Sequence, residues 1–190
     1  MGTPPKGYWK PTAADLDKAK DQGLADLLQR GLKVLFCGIN PGLYTAAIGK
    51  HFGRPGNRFW PALHAGGFTP RLFSPFEQRW LLPLGYGLTN LVNRATTRAD
   101  EVTAEELTQG AAILRTKVKR FQPAWVAVLG LTSFRLAFAR PRAKTGPQEE
   151  NLASARLWVL PNPSGLNAHF TPRQLADLFQ QLRYSVEKDD

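Results

Sequence analysis

Sulfur is scarce in this chain of 190 residues, which has one methionine and one cysteine, Cys37. A lone cysteine excludes an internal disulfide and any cysteine-ligated zinc site or iron–sulfur cluster. The three histidines, His51, His64 and His169, are scattered without ligand spacing, so no metal site is expected. Long apolar runs are missing as well. The longest, residues 34–37 with their flanks, falls far short of the roughly 20 residues that span a bilayer. Residues 1–30 carry charges throughout and lack the apolar core of a secretion signal. The expectation is a cytoplasmic protein with no membrane partner.

Acidic residues are the scarcer charge. Asp and Glu number 15 against 25 Lys and Arg, a formal net charge of +10. Such a surface attracts polyanions and makes nucleic acid the favoured partner, although a solubility bias would produce the same balance. Internal repeats and low-complexity blocks are absent.

What is present describes an ordinary globular domain. Hydrophobic residues make up 43% and charged residues 21% of a chain long enough for one well-buried core. The expected organisation is a flexible basic lead-in over residues 1–11, one domain over 12–186 and a short tail over 187–190. Residues 12–30 have helical composition, with Leu16, Leu24, Leu27 and Leu28 spaced for one face. Residues 32–37 form an apolar run bounded by Gly31 and Gly38, as a buried strand should be. A loop over 38–56 follows, then helices over 57–65 and about 75–82, and a strand over 85–91. Thr103 and Glu106 make a capping box that opens a helix to about residue 121. A strand over 125–129, a helix over 132–139, an exposed loop over 140–151 and a strand over 156–160 complete the middle of the chain. Thr171, Pro172 and Gln174 start the last helix. Strands alternating with helices predict a single-domain α/β fold, a mostly parallel sheet covered on both faces.

In such sheets ligands gather outside the carboxyl ends of the strands. Two of the loops there carry unusual residues. The first reads Gly38-Ile39-Asn40-Pro41-Gly42, a sharp turn that holds Asn40 rigidly. It lacks the Lys-Ser/Thr end of a phosphate loop and the third glycine of a dinucleotide fingerprint. The second reads Pro161-Asn162-Pro163-Ser164-Gly165-Leu166-Asn167-Ala168-His169, with prolines stiffening Asn162 and a leucine on a small, permissive tip. Taken singly, each loop also reads as a plain turn, Leu166 as a core residue and Phe52 as a core plug. His51 and His169 read as surface or phosphate-contacting residues.

Together, in order and at this separation, the two loops resemble the signature motifs of the mismatch-specific uracil-DNA glycosylases and their thymine-DNA glycosylase relatives. The resemblance covers roughly residues 32–184 and includes Asn57-Arg58-Phe59-Trp60, residues 87–94 and the strand ending in Leu129-Gly130. It implies a uracil-DNA glycosylase-like fold, no metal, no nucleotide cofactor and a flipped-out base as substrate. The double-stranded DNA would carry a damaged or mismatched pyrimidine, and the enzyme would act as a monomer. By the same resemblance, Asn40 orients the attacking water. Ile39, Gly42 and Thr45 recognise the pyrimidine edge, Phe52 stacks on the base and Asn162 faces a base carbonyl. Ser164, Gly165 and Leu166 form the wedge that fills the vacated space. Arg58 and Arg94 would reach DNA phosphates or satisfy helix carbonyls.

Two departures stand out. Family members often carry an arginine shortly after the wedge leucine, where this chain has Asn167-Ala168-His169. An acidic residue is usual where Asn93 stands, and an Asn93→Asp variant is therefore expected to cleave faster. The competing readings are a binding protein that senses mispairs or abasic sites without efficient chemistry, and an unrelated α/β enzyme acting on free nucleosides.

Overall fold

The computed structural model describes residues 10–165, 167 and 169–188. Residues 1–9 of the expected lead-in and the last two residues of the tail lie outside them. Thr12 caps a short helix, α1 (Ala13–Lys18), through a capping box with Asp15. The central strand β1 (Val34–Gly38) is buried at every position. It passes into α2 (Leu43–Ile48) and α3 (Phe59–Ala65). A 3-10 helix over Pro75–Leu84 leads to β2 (Tyr86–Asn90), and α4 (Ala104–Phe121) leads to β3 (Trp125–Leu129). Then come α5 (Leu131–Ala137), β4 (Gly146–Leu152), β5 (Ala155–Leu160) and α6 (Pro172–Lys188).

The five strands form one sheet in the order β2-β1-β3-β5-β4. All pairs are parallel except β4 with β5. Alternate residues of β1 face opposite sides, as the two-residue period of a strand requires. Val34 and Phe36 join a cluster with Phe59, Trp60, Trp125, Trp158 and Phe179, under α3 and α6. Leu35 and Cys37 join the other, with Leu114, Val118, Val126, Val128 and Phe134, under α4 and α5. The expected α/β architecture with both faces covered is what the chain adopts.

Four local expectations are corrected. The helix expected over residues 12–30 ends at Lys18, and the chain beyond it runs extended along β2. Leu27 exchanges backbone hydrogen bonds with Leu88 at 2.8 and 2.9 Å, and Leu24 and Leu27 are buried there. The loop expected over 38–56 contains α2. The helix over 75–82 is of the tighter 3-10 kind. The loop expected over 140–151 ends in β4, an edge strand with a register shift between Pro147 and Asn151.

Neighbouring strands β1 and β3 send their following helices to opposite faces, α3 to one cluster and α5 to the other. The chain parts between their carboxyl ends, and a crevice opens there.

Candidate active site

That crevice is a cleft of about 640 Å³ walled by the ends of β1, β2, β3 and β5 and the loops that leave them. The β1 loop is stitched to the chain after β2. Leu91 and Val92 donate to the carbonyls of Gly38 and Ile39 at 2.9 Å, and Thr96 donates to Pro41 at 3.2 Å. These bonds extend the β1–β2 ladder beyond the strands and hold the first loop rigid at the cleft mouth.

Asn40 is half-buried on this loop. Its Nδ2 donates to the Arg94 carbonyl at 2.9 Å and to Thr96 Oγ1 at 2.8 Å. Thr96 Oγ1 spends its own proton on the Arg98 carbonyl at 2.6 Å, so toward Asn40 it only accepts. Both partners are acceptors, which fixes the amide's orientation and leaves Oδ1 as its free end. A carboxamide oxygen accepts hydrogen bonds but takes no proton near neutral pH, so it can orient a water without deprotonating it.

Asn162, on the loop after β5, is tied at its other end. Its Oδ1 accepts from the Ser164 amide at 3.0 Å, which turns Nδ2 into the available donor. Asn90, the last residue of β2, is 6% exposed and lines the same cleft. Its Nδ2 is buried with no hydrogen-bond partner. An orphaned buried amide costs about 1–3 kcal/mol, which an acceptor brought by a ligand would recover. Sequence reading missed Asn90. The available signal was its position at the carboxyl end of the strand beside the Gly38 loop.

Gly38 makes the corner possible. A Cβ there would stand 2.5 Å from Asn90 Oδ1 and 3.3 Å from two ring carbons of Phe52. Phe52 has φ +53, a left-handed conformation that an aromatic residue adopts only under constraint, at about 1–3 kcal/mol. The constraint is visible. Its ring stacks on Phe59 with centroids 4.0 Å apart and planes 21° apart, and Trp60 Nε1 donates to the His51 carbonyl at 3.2 Å. The half-buried ring thus lines the cleft as a braced flat surface.

Ile39, Gly42, Thr45 and Ser164 also line the cleft. Gly42 starts α2 without a side-chain cap, which leaves first-turn amides as donors at the mouth. Gly165 is exposed beside the cleft, and Leu166, the expected wedge, lies outside the described residues. One other expectation is corrected. Asn93 does not line the cleft: its Oδ1 accepts from the Leu24 amide at 2.7 Å, fastening the segment along β2. An acid there would sit on that segment rather than on a substrate. Of its two expected roles Arg58 takes the one on carbonyls, those of the loop after β5 rather than of a helix, and Arg94 forks onto Glu106 and Asp21.

His51 is also corrected, from a surface group to one only 1% exposed. Its Nε2 lies 3.1 Å from the Ala25 carbonyl, which can only accept, so this nitrogen carries the proton. Burial pushes its pKa down to about 4, and the ring is neutral at pH 7. His169 is exposed, and His64 Nδ1 lies 3.1 Å from the Thr69 carbonyl. Among the described residues lining the cleft the only carboxylate is Asp100, paired with Arg98 at 2.5 Å.

The arrangement provides a fixed acceptor, two amide donors and a stacking ring in one cleft, with the exposed His169 also on its wall. It suits a reaction whose leaving group becomes an anion and whose nucleophile is water. The uracil DNA glycosylase superfamily model matches residues 25–183. A solution NMR structure from Methanosarcina acetivorans, provisionally assigned as a uracil DNA glycosylase, shares the fold with a TM-score of 0.56. Identity is 18%, over 86% of this chain and 98% of that one. The chain belongs to the uracil DNA glycosylase superfamily, hydrolases of base-excision DNA repair.

Proposed function

We propose that this protein hydrolyses the bond between uracil and deoxyribose in double-stranded DNA, acting on uracil mispaired with guanine and leaving an abasic site. Ethenocytosine and thymine opposite guanine are the further substrates of this reading. The observation that carries it is the convergence of Asn40, Asn90 and Asn162 from three different strand ends on one cleft. The pyrimidine edge presents carbonyl acceptors and an N–H donor, which amides complement on both counts.

Bond breaking puts positive charge on the sugar and negative charge on the departing base. Asn162 Nδ2, Asn90 Nδ2 and the backbone donors near Gly42 stabilise that anion where water is excluded. Phe52 holds the flipped base, and Asn40 Oδ1 directs a water at the sugar. The matched motifs contain no amine nucleophile, so the enzyme releases the base without cutting the strand. Unpairing costs least at a mispair, which favours G·U over A·U. One chain carries the whole cleft, and the reading needs no second copy. Cytoplasmic DNA is its expected partner, drawn by the net charge of +10.

The test is a time course of alkali-labile sites in duplexes with one uracil opposite guanine or adenine. Accumulation over several turnovers, faster from the G·U duplex, is expected. The amide at position 40, which takes no proton near neutral pH, favours the second reading, a sensor of mispairs. Tight binding with no alkali-labile sites would establish that reading instead.

A further inference from the structure

We propose that Arg58 is a positioning residue that locks the loop after β5 to the wall of the base cleft, so that flipping and holding the base are one mechanical event. The inference rests on the glycosylase reading above. Arg58 stands at the start of α3, and its backbone N–H donates to the Pro163 carbonyl at 2.9 Å. Its guanidinium reaches three further carbonyls of the same loop. Nη1 donates to Phe170 at 2.5 Å, and Nη2 donates to Ser164 at 2.9 Å and to Asn167 at 2.6 Å.

Hydrogen bonds from a cation are about twice as strong as neutral ones, and a planar fork holds several acceptors in fixed relation. Within the loop the Asn167 amide donates to Ser164 at 3.0 Å, and the Asn162 and Asn167 side chains supply local turns. Arg58 adds its bonds to the loop from outside, from the start of α3. The fit is close at a second point. A Cβ on Gly165 would lie 2.5 Å from the Gly56 carbonyl, so the loop tip rests directly on the chain just before Arg58.

The same few residues hold the other side of the cleft. Asn57 lines it and caps Phe59 through Oδ1 at 2.9 Å, and Phe59 carries the stacked ring of Phe52. The stacking surface and the inserting loop are thus fastened to one helix start. Every carbonyl that Arg58 holds lies beyond Asn162. Releasing Arg58 would let the loop tip drift while leaving Phe52, Asn40 and Asn162, two residues from the end of β5, in place.

The experiment compares the full-length protein with Arg58→Met and Arg58→Lys on two duplexes, under single turnover. One holds a G·U pair. In the other a stable abasic analogue replaces the guanine, so no pair has to be broken. With Arg58→Met the G·U rate is expected to fall about ten-fold or more, a modest share of what a misplaced group can cost. The unpaired uracil should be cleaved within about two-fold of the wild-type rate, and Arg58→Lys, a single point of contact, should not restore the G·U rate. Parallel loss on both substrates would overturn the inference in favour of a general structural role, as would an unchanged G·U rate. A wild-type protein that cleaves neither duplex would instead sink the glycosylase reading itself.

Discussion

Asn90 Nδ2 finds no partner among the described residues, and this separates its role in function from its role in the fold. Replacing it by Leu, similar in shape and apolar, removes the orphaned Nδ2 from a buried site. The thermal midpoint of Asn90→Leu should stay level or rise while uracil release slows about ten-fold or more, a trade seen where sites are built at the expense of stability. A midpoint that falls with the activity would make Asn90 a structural residue. His51 provides a second residue-scale test. Its folded pKa, about 4, lies below the ordinary 6.5, because burial penalises the charged ring. The unfolded chain therefore binds the extra proton between those values. This contribution is whole above pH 6.5 and is lost as the pH falls toward 4, a change on the order of 3 kcal/mol. Glu77 and Glu106, held near 2 chiefly by hydrogen bonds from Arg71 and Arg94, lose theirs only below about 4.5. Urea midpoints at pH 7 and about pH 5 should thus differ markedly for the wild type and less for His51→Gln. An equal difference in both would remove His51 from the account. Asn40 and Asn162 were legible in the sequence because glycine and proline fence them in. Asn90 and His51 were not, since their environments are made by chain far away: the Gly38 turn for one, Ala25 and Gln78 for the other.

Elements were legible where local signals and tertiary demands agree. The capping box of Thr103 and Glu106 opens α4 as its sequence indicates, with Glu106 N donating to Thr103 Oγ1 at 3.2 Å. Thr103→Ala should cost about 1 kcal/mol, lowering the midpoint by about 2–4 °C in a domain of this size; an unchanged midpoint would mean the box is idle. The four alternating strands and the last helix were equally readable. Residues 19–30 were not. Their leucine spacing suits a helix, yet Asp21 takes φ +59 and Leu27 pairs with the exposed edge of β2. Covering an otherwise open edge outweighed a local preference. At the other edge, β4 was hidden by Pro147, Glu149 and Glu150, which mark it as a loop in sequence. In the fold the same residues discourage further pairing of an edge strand.

At the scale of the molecule, the cleft exists because β1 and β3 send their helices to opposite faces, and each asparagine of the trio arrives on a different strand. A second hollow of about 630 Å³ lies along β4, bordered by Arg115, Arg142, Lys144 and the Arg140–Glu150 pair. It gathers none of the strand-end amides, which sets it apart from the chemistry. No helix among the described residues is long and apolar enough to cross a membrane. On the proposed reading, fixed amides suffice for water to displace the base. Its most direct test is single-turnover release of free uracil from a G·U duplex by the wild type and Asn40→Ala, with duplex affinity measured alongside. Release by Asn40→Ala is expected to collapse by about a hundred-fold or more, the scale of losing a fixed polar group at the reacting centre, while affinity changes little. Undiminished release by Asn40→Ala would contradict it.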